Sequence, residues 1–143
     1  MEVYQLNDNV SVGEAPDSEG DLEELAEQGY QAILNVQEPD AACELSARDE
    51  ALAARSRGVF FLNFPVDNDV SELDVDQFCG KLKLLPPPTY VHGTGDGKAA
   101  ALAVIALAKQ NGWSVQEASN LMTNHNLACC EGDWCHLVAQ HIS

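Results

Sequence analysis

Apolar positions along the chain fall into two rhythms, short compact runs and longer helical stripes. Val3 to Leu6 and Val10 to Val12 alternate as two short strands around an Asn7-Asp8-Asn9 turn. Pro16-Asp17-Ser18 opens a helix whose Leu22, Leu25 and Ala26 share one face. Acidic residues crowd its first turns, where the helix dipole favours them, and Gly29 closes it. Ala32 to Val36 is a compact apolar run, bounded by Glu38-Pro39-Asp40, and reads as a buried strand. Ala42 to Arg57 is rich in Ala, Leu, Glu and Arg, which predicts a long helix ended by Gly58. Val59 to Phe64 is the strongest strand signal, and its Phe60, Phe61 and Phe64 are expected in the core of a central strand before Pro65. An acidic loop, Val66 to Ser71, leads to a helix over Leu73 to Leu85, stopped by Pro86-Pro87-Pro88.

Tyr90-Val91-His92 is a further short strand, and Gly93 to Gly97 a glycine-rich loop. Lys98 to Asn111 is an Ala- and Leu-rich helix capped by Asn111-Gly112. Ser114 is an N-cap for a helix over Val115 to Asn124, and Asp133 to Ile142 forms the last helix. Strands alternating with helices, then a helical C-terminal third, predict an α/β fold. Its central, mostly parallel sheet is flanked by helices on both faces. No repeat, low-complexity stretch or linker interrupts residues 1–143, so a single domain is expected.

Composition narrows the partners. Seven Lys and Arg face 23 Asp and Glu, a formal charge of −16. Such a surface repels nucleic acid and anionic membranes, since both are bound through Lys and Arg. It suits a solubilising surface, a high-salt source, or docking of a basic protein partner. No run reaches the roughly 18 apolar residues of a membrane span, and no signal peptide is apparent at Met1-Glu2-Val3-Tyr4. The five cysteines are an odd count. With no secretion signal they are expected as reduced thiols in a cytoplasmic protein.

The informative stretch is Val91-His92-Gly93-Thr94-Gly95-Asp96-Gly97-Lys98-Ala99. A buried strand runs through a tight glycine loop straight into a helix. Converging backbone amides and the helix dipole make such a loop a home for an oxyanion. It is not the P-loop of nucleotide hydrolases. His92 stands where the first Gly belongs, and Ala99 where the Mg²⁺-binding hydroxyl belongs. Nor do glycines at 93, 95 and 97 match the dinucleotide fingerprint G-x-G-x-x-G.

The succession of "GYQAILNVQEPD", a long helix, "GVFFLNFPVDND", a helix and "PPPTYVHGTGDGKAAAL" resembles the dual-specificity-phosphatase-like family of small bacterial proteins. The resemblance covers about Asn9 to Asn124. "VGEAPDSEGDLEELAEQGY" is similar to that family's G-Q-P opening of the first helix. The family's loop reads roughly H-C-x-x-x-x-R-[AS], with Cys as nucleophile and Arg gripping phosphate in two parallel hydrogen bonds. Here the Cys position is Gly93 and the Arg position Lys98. The resemblance therefore implies a cysteine-phosphatase fold on which phosphocysteine cannot form. It places anion binding at Gly93, Thr94, Gly95, Asp96, Gly97 and Lys98. Lys98 offers a point charge without the bidentate fork, and Asp96 opposes an anion. The family's His orders the loop through backbone contacts, the role expected of His92. Asp67 and Asp69 lie where such enzymes carry a general acid, and are otherwise two solvated loop acids.

The C-terminal stretch holds His125, Cys129, Cys130, Cys135, His136 and His141. Of these, Cys129, Cys130, Cys135 and His136 are candidate ligands for a soft metal, though their spacing matches no known metal motif. Packing is the simpler role for Cys135, three and four residues before Val138 and Ala139. Cys43, Cys79, Trp113 and Trp134 are expected as packing residues. No cofactor is expected. The combined expectation is a pseudophosphatase with a binding or regulatory role toward a small oxyanion or phosphorylated ligand. The alternatives are a weak phosphohydrolase using Lys98 with Thr94 or Asp96, and a metal- or redox-responsive module at the C-terminal cluster.

Overall fold

A computed structural model of the chain describes residues 3–38, 45–67, 69–93, 97–125, 127 and 133–142. Among these, β1 (Val3–Gln5), β2 (Val10–Gly13), β3 (Ala32–Asn35), β4 (Phe60–Asn63) and β5 (Thr89–His92) form one sheet, ordered β1-β2-β5-β3-β4. The helices are α1 (Glu19–Glu27), α2 (Ala47–Ser56), α3 (Glu72–Leu84), α4 (Lys98–Asn111), α5 (Val115–Asn124) and α6 (Asp133–His141). β1 pairs antiparallel with β2, and every other pair is parallel. The β1–β2 turn is held by Asn7, whose side-chain oxygen accepts from the amides of Asn9 and Val10 at 2.8 Å. The α/β class read from the alternation of elements is the observed one.

Side chains alternate across the sheet, so each face has its own core. Ile33 and Tyr90 pack on one side with Leu22 and Leu25 of α1 and Ala53 and Ala54 of α2. Leu34, Val91 and Val12 pack on the other with Phe78 of α3 and Leu102 and Ile105 of α4. Helix α4 is buried from Lys98 to Ala108, apart from the half-buried Ala100, because its small alanines let neighbours approach closely. It packs against β2, β5, α3, α5 and α6.

Two expectations are corrected. The run Val59 to Phe64 is not a central strand: β4 is outermost, with β3 its sole neighbour in the sheet, and Phe60 is 62% exposed. Aromatic and β-branched content marks a strand without saying where in the sheet it lies. The described part of α2 begins at Ala47 rather than within Ala42 to Ser46. The Ser46 side chain accepts from Asp49 N at 3.1 Å and caps the helix there. Cys43 lies outside the described residues, and Cys79 is half-buried on α3. Trp113 and Trp134 are half-buried against the larger core.

Candidate functional site

The site is built at the carboxyl end of β5. This strand lies between β2 and β3 in the middle of the sheet, so its last residue, His92, is fully buried. Gly93 follows. Gly97 adopts φ +92°, a left-handed conformation that favours glycine, and caps the start of α4. Thr94, Gly95 and Asp96 lie outside the described residues. No acidic residue occupies the first turn of α4 itself.

Gly93 is buried, and its φ lies outside the left-handed region. A Cβ there would meet Val36 Cγ2 at 3.2 Å, Ala99 Cβ at 3.7 Å and Ala99 N at 4.0 Å. A side chain at this position would therefore leave the backbone beside the amino end of α4. The protein carries a hydrogen atom at that point instead.

Lys98 is the first residue of α4 and is 2% exposed. Its Nζ donates to the Val66 carbonyl at 2.5 Å, and Glu38 Oε1 lies 3.6 Å away. The amine thus ties the start of α4 to the segments that follow β3 and β4. Asp67 and Asp69 are exposed just beyond Val66, and Asp69 N donates to Asp67 Oδ1 at 3.2 Å. Glu38, Asp67 and Asp69 make the rim acidic against this one buried cation.

Beneath Gly93 lies a buried polar network that sequence reasoning missed apart from His92. His92 Nε2 and Glu50 Oε2 are hydrogen-bonded at 2.6 Å, and Asn35 Nδ2 donates to Glu50 Oε1 at 3.1 Å. Asn35 Nδ2 also donates to Gln37 Oε1 at 3.0 Å, while Gln37 N donates to Asn35 Oδ1 at 2.7 Å. Gln37 Nε2 in turn donates to the Gly93 carbonyl at 3.2 Å. One signal was legible. In α2, Glu50 shares its helical face with the buried Ala53 and Ala54, and a carboxylate on an apolar face needs a partner.

At the C-terminus, His136 is exposed on α6, while Cys129, Cys130 and the side chain of Cys135 lie outside the described residues. Among the described residues, no three His, Cys, Asp or Glu side chains come together as a metal set. A cleft of about 450 Å³ lies away from the loop, among Asn9, Lys83, Pro87, Thr89 and Asn111. Thr89 opens the strand that His92 ends.

The fold is that of the cysteine phosphatases. No family model and no curated protein matches the sequence, so the likeness is carried by solved structures. A candidate phosphatase of Neisseria meningitidis superposes with a TM-score of 0.81, at 15% identity over 99% of both chains. A DUF442 candidate phosphatase of Shewanella putrefaciens gives 0.76, at 20% identity over 97% of this chain and 89% of the other. A candidate protein tyrosine phosphatase of Leishmania major gives 0.71, at 21% identity over 92% and 86%. No helix among the described residues is long and apolar enough to cross a membrane.

Proposed function

We propose that this chain is a pseudophosphatase, a phosphatase-fold protein that holds an oxyanion or phosphorylated ligand at the Gly93–Lys98 loop without covalent chemistry. The observation that carries this reading is glycine at position 93, where the resembled family places its nucleophile, on a sheet and helix frame of the cysteine-phosphatase kind. Hydrolysis through a phosphocysteine needs a thiolate there. The buried Lys98 amine and the amino end of α4 supply positive potential for an anion. Lys98 already serves Val66 and Glu38, so an anion competes with those partners, and modest affinity is expected.

Thermal melting tests this, with phosphate, sulfate and tungstate at matched ionic strength. A ligand of the native state adds roughly 2.7 kcal/mol of stability at a hundredfold excess over its Kd. Lys98→Met keeps the apolar stem and removes the charge. The ligand-induced rise, not the absolute melting temperature, is compared, because Val66 O loses its donor in the variant. An oxyanion-specific rise that Lys98→Met abolishes supports the proposal. Absence of any rise in the wild type, or turnover of a generic phosphate ester that survives repurification, removes it.

A further inference from the structure

The network under Gly93 is expensive. Glu50, His92, Asn35 and Gln37 are each at most 4% exposed. Burying a carboxylate, an imidazole and two amides costs more than an apolar core of the same shape. Every bond in it is nevertheless directed. A carboxylate only accepts, so His92 Nε2 and Asn35 Nδ2 must both be donors toward Glu50. With its Nδ2 so committed, Asn35 turns its Oδ1 to the Gln37 amide. Asn35 Nδ2 also claims Gln37 Oε1, which leaves Gln37 Nε2 as the end that faces the Gly93 carbonyl. The circuit ends on one backbone group, the carbonyl of the loop's first residue. That carbonyl belongs to the residue from which the loop departs, so the circuit holds the loop at its first residue.

We infer that Glu50 sets the polarity of a buried hydrogen-bond circuit through His92, Asn35 and Gln37 that pins the Gly93 carbonyl and so positions the first residue of the candidate anion site. The inference rests on the proposed oxyanion reading for its purpose, and makes these four positioning residues. It gives the carboxylate a role at a distance: Glu50 touches no ligand, and acts by deciding which end of each amide points where. It also places a ring proton of His92 on Nε2, toward Glu50, while Nδ1 lies 3.5 Å from the Gly93 oxygen.

Two variants test it. Gln37→Leu removes the donor to Gly93 O and leaves the Glu50–His92 bond intact. It is expected to weaken tungstate binding about tenfold, the scale of one lost buried hydrogen bond at the group that shapes the site. Glu50→Gln offers one acceptor and one donor end. Asn35 retains the acceptor, and the new NH₂ faces His92 Nε2. The His92 ring proton is then expected to move to Nδ1, read by ¹⁵N-edited NMR of the side chain. Tungstate binding by folded Gln37→Leu within twofold of wild type overturns the inference, as does a wild-type His92 protonated on Nδ1 alone. If the wild type binds no oxyanion, the functional reading fails by itself. Positioning is then judged on the Gly97 amide resonance, which Gln37→Leu displaces if the circuit orients the loop and leaves in place if it does not. Should Gln37→Leu not fold, the tautomer and the Gly97 resonance of Glu50→Gln decide in the same way.

Discussion

Replacing Gly93 by Cys tests the proposed reading, on which one side chain separates this protein from phosphocysteine chemistry. Its structural cost is small. The backbone at Gly93 is open to L-residues, and the closest obstacle to a new Cβ is the Val36 Cγ2 methyl at 3.2 Å. That contact needs a shift of a few tenths of an ångström. Overpacking of this kind costs about 1 kcal/mol, offset in part by the reduced freedom of the unfolded chain, worth about 0.4–1 kcal/mol for glycine replacement. The melting temperature is therefore expected within about 4 °C of wild type. The Cβ would sit 4.0 Å from Ala99 N in the first turn of α4, where a helix amino end stabilises a thiolate. Gln37 Nε2 already donates to the carbonyl of the same residue. Gly93→Cys is thus expected to react with iodoacetamide below the usual thiol range of pH. With an aryl phosphate the thiolate should displace the aryloxide, breaking the P–O bond as the S–P bond forms, and the phosphocysteine should be seen as a mass gain removed by mild hydrolysis. Turnover should remain slow, because Lys98 provides no bidentate fork and its amine is held by Val66 and Glu38. A folded, thiol-reactive variant that never forms the phosphocysteine would refute the reasoning, since the deficit would then lie in the loop as a whole and not in one side chain.

Two further outcomes follow from the same geometry. Glu38 is 38% exposed at its side chain and 3.6 Å from Lys98 Nζ. Such partly exposed pairs are worth about 0.2–1 kcal/mol, so Glu38→Gln should tighten oxyanion binding by up to about fivefold in a calorimetric titration. Unchanged or weaker binding would mean that Glu38 does not compete with the ligand. At high pH, burial first, then the charge of Tyr30 and nearby carboxylates, raises the Tyr90 hydroxyl far above its ordinary 10.0. Burial likewise raises the Cys79 thiol above 9.0. In both, the unfolded chain releases its proton first, so stability is intact below about pH 9 and falls as pH rises beyond it. Melting temperature against pH should show that alkaline decline, and Tyr90→Phe should flatten its upper part; a flat wild-type profile up to pH 11 would contradict it.

The fold was legible because its signals are local. Ser114 accepts from the amide three residues on, and it marked a helix start through residue type alone. Gly29, Gly58 and Gly112 all adopt positive φ, and each was readable as punctuation. The misplacement of β4 has the opposite origin. Strand order depends on which runs pair across the chain, and β5, late in sequence, inserts between β2 and β3 and leaves β4 at the edge. The candidate site divides along the same line. The glycine loop is contiguous, so Gly93, Gly97 and Lys98 stood out together.

What the sequence hid is which way Lys98 turns and what lies under Gly93. From the sequence, Lys98 looks like a cation offered to a ligand, because it stands at the amino end of a helix in a glycine loop. In the fold its stem is enclosed and its amine reaches Val66 and Glu38, residues 32 and 60 positions earlier. The positive charge therefore does two things at once: it ties neighbouring segments at the carboxyl edge of the sheet, and it keeps a potential that an anion can share. Glu50 has the converse history. An ordinary helix-forming residue by type, it becomes a positioning group because α2 packs its polar head against His92 and Asn35, 42 residues ahead and 15 behind. On the proposed reading, glycine at position 93 changes one side chain and leaves both arrangements standing, so binding, more than hydrolysis, is the property to measure in this protein.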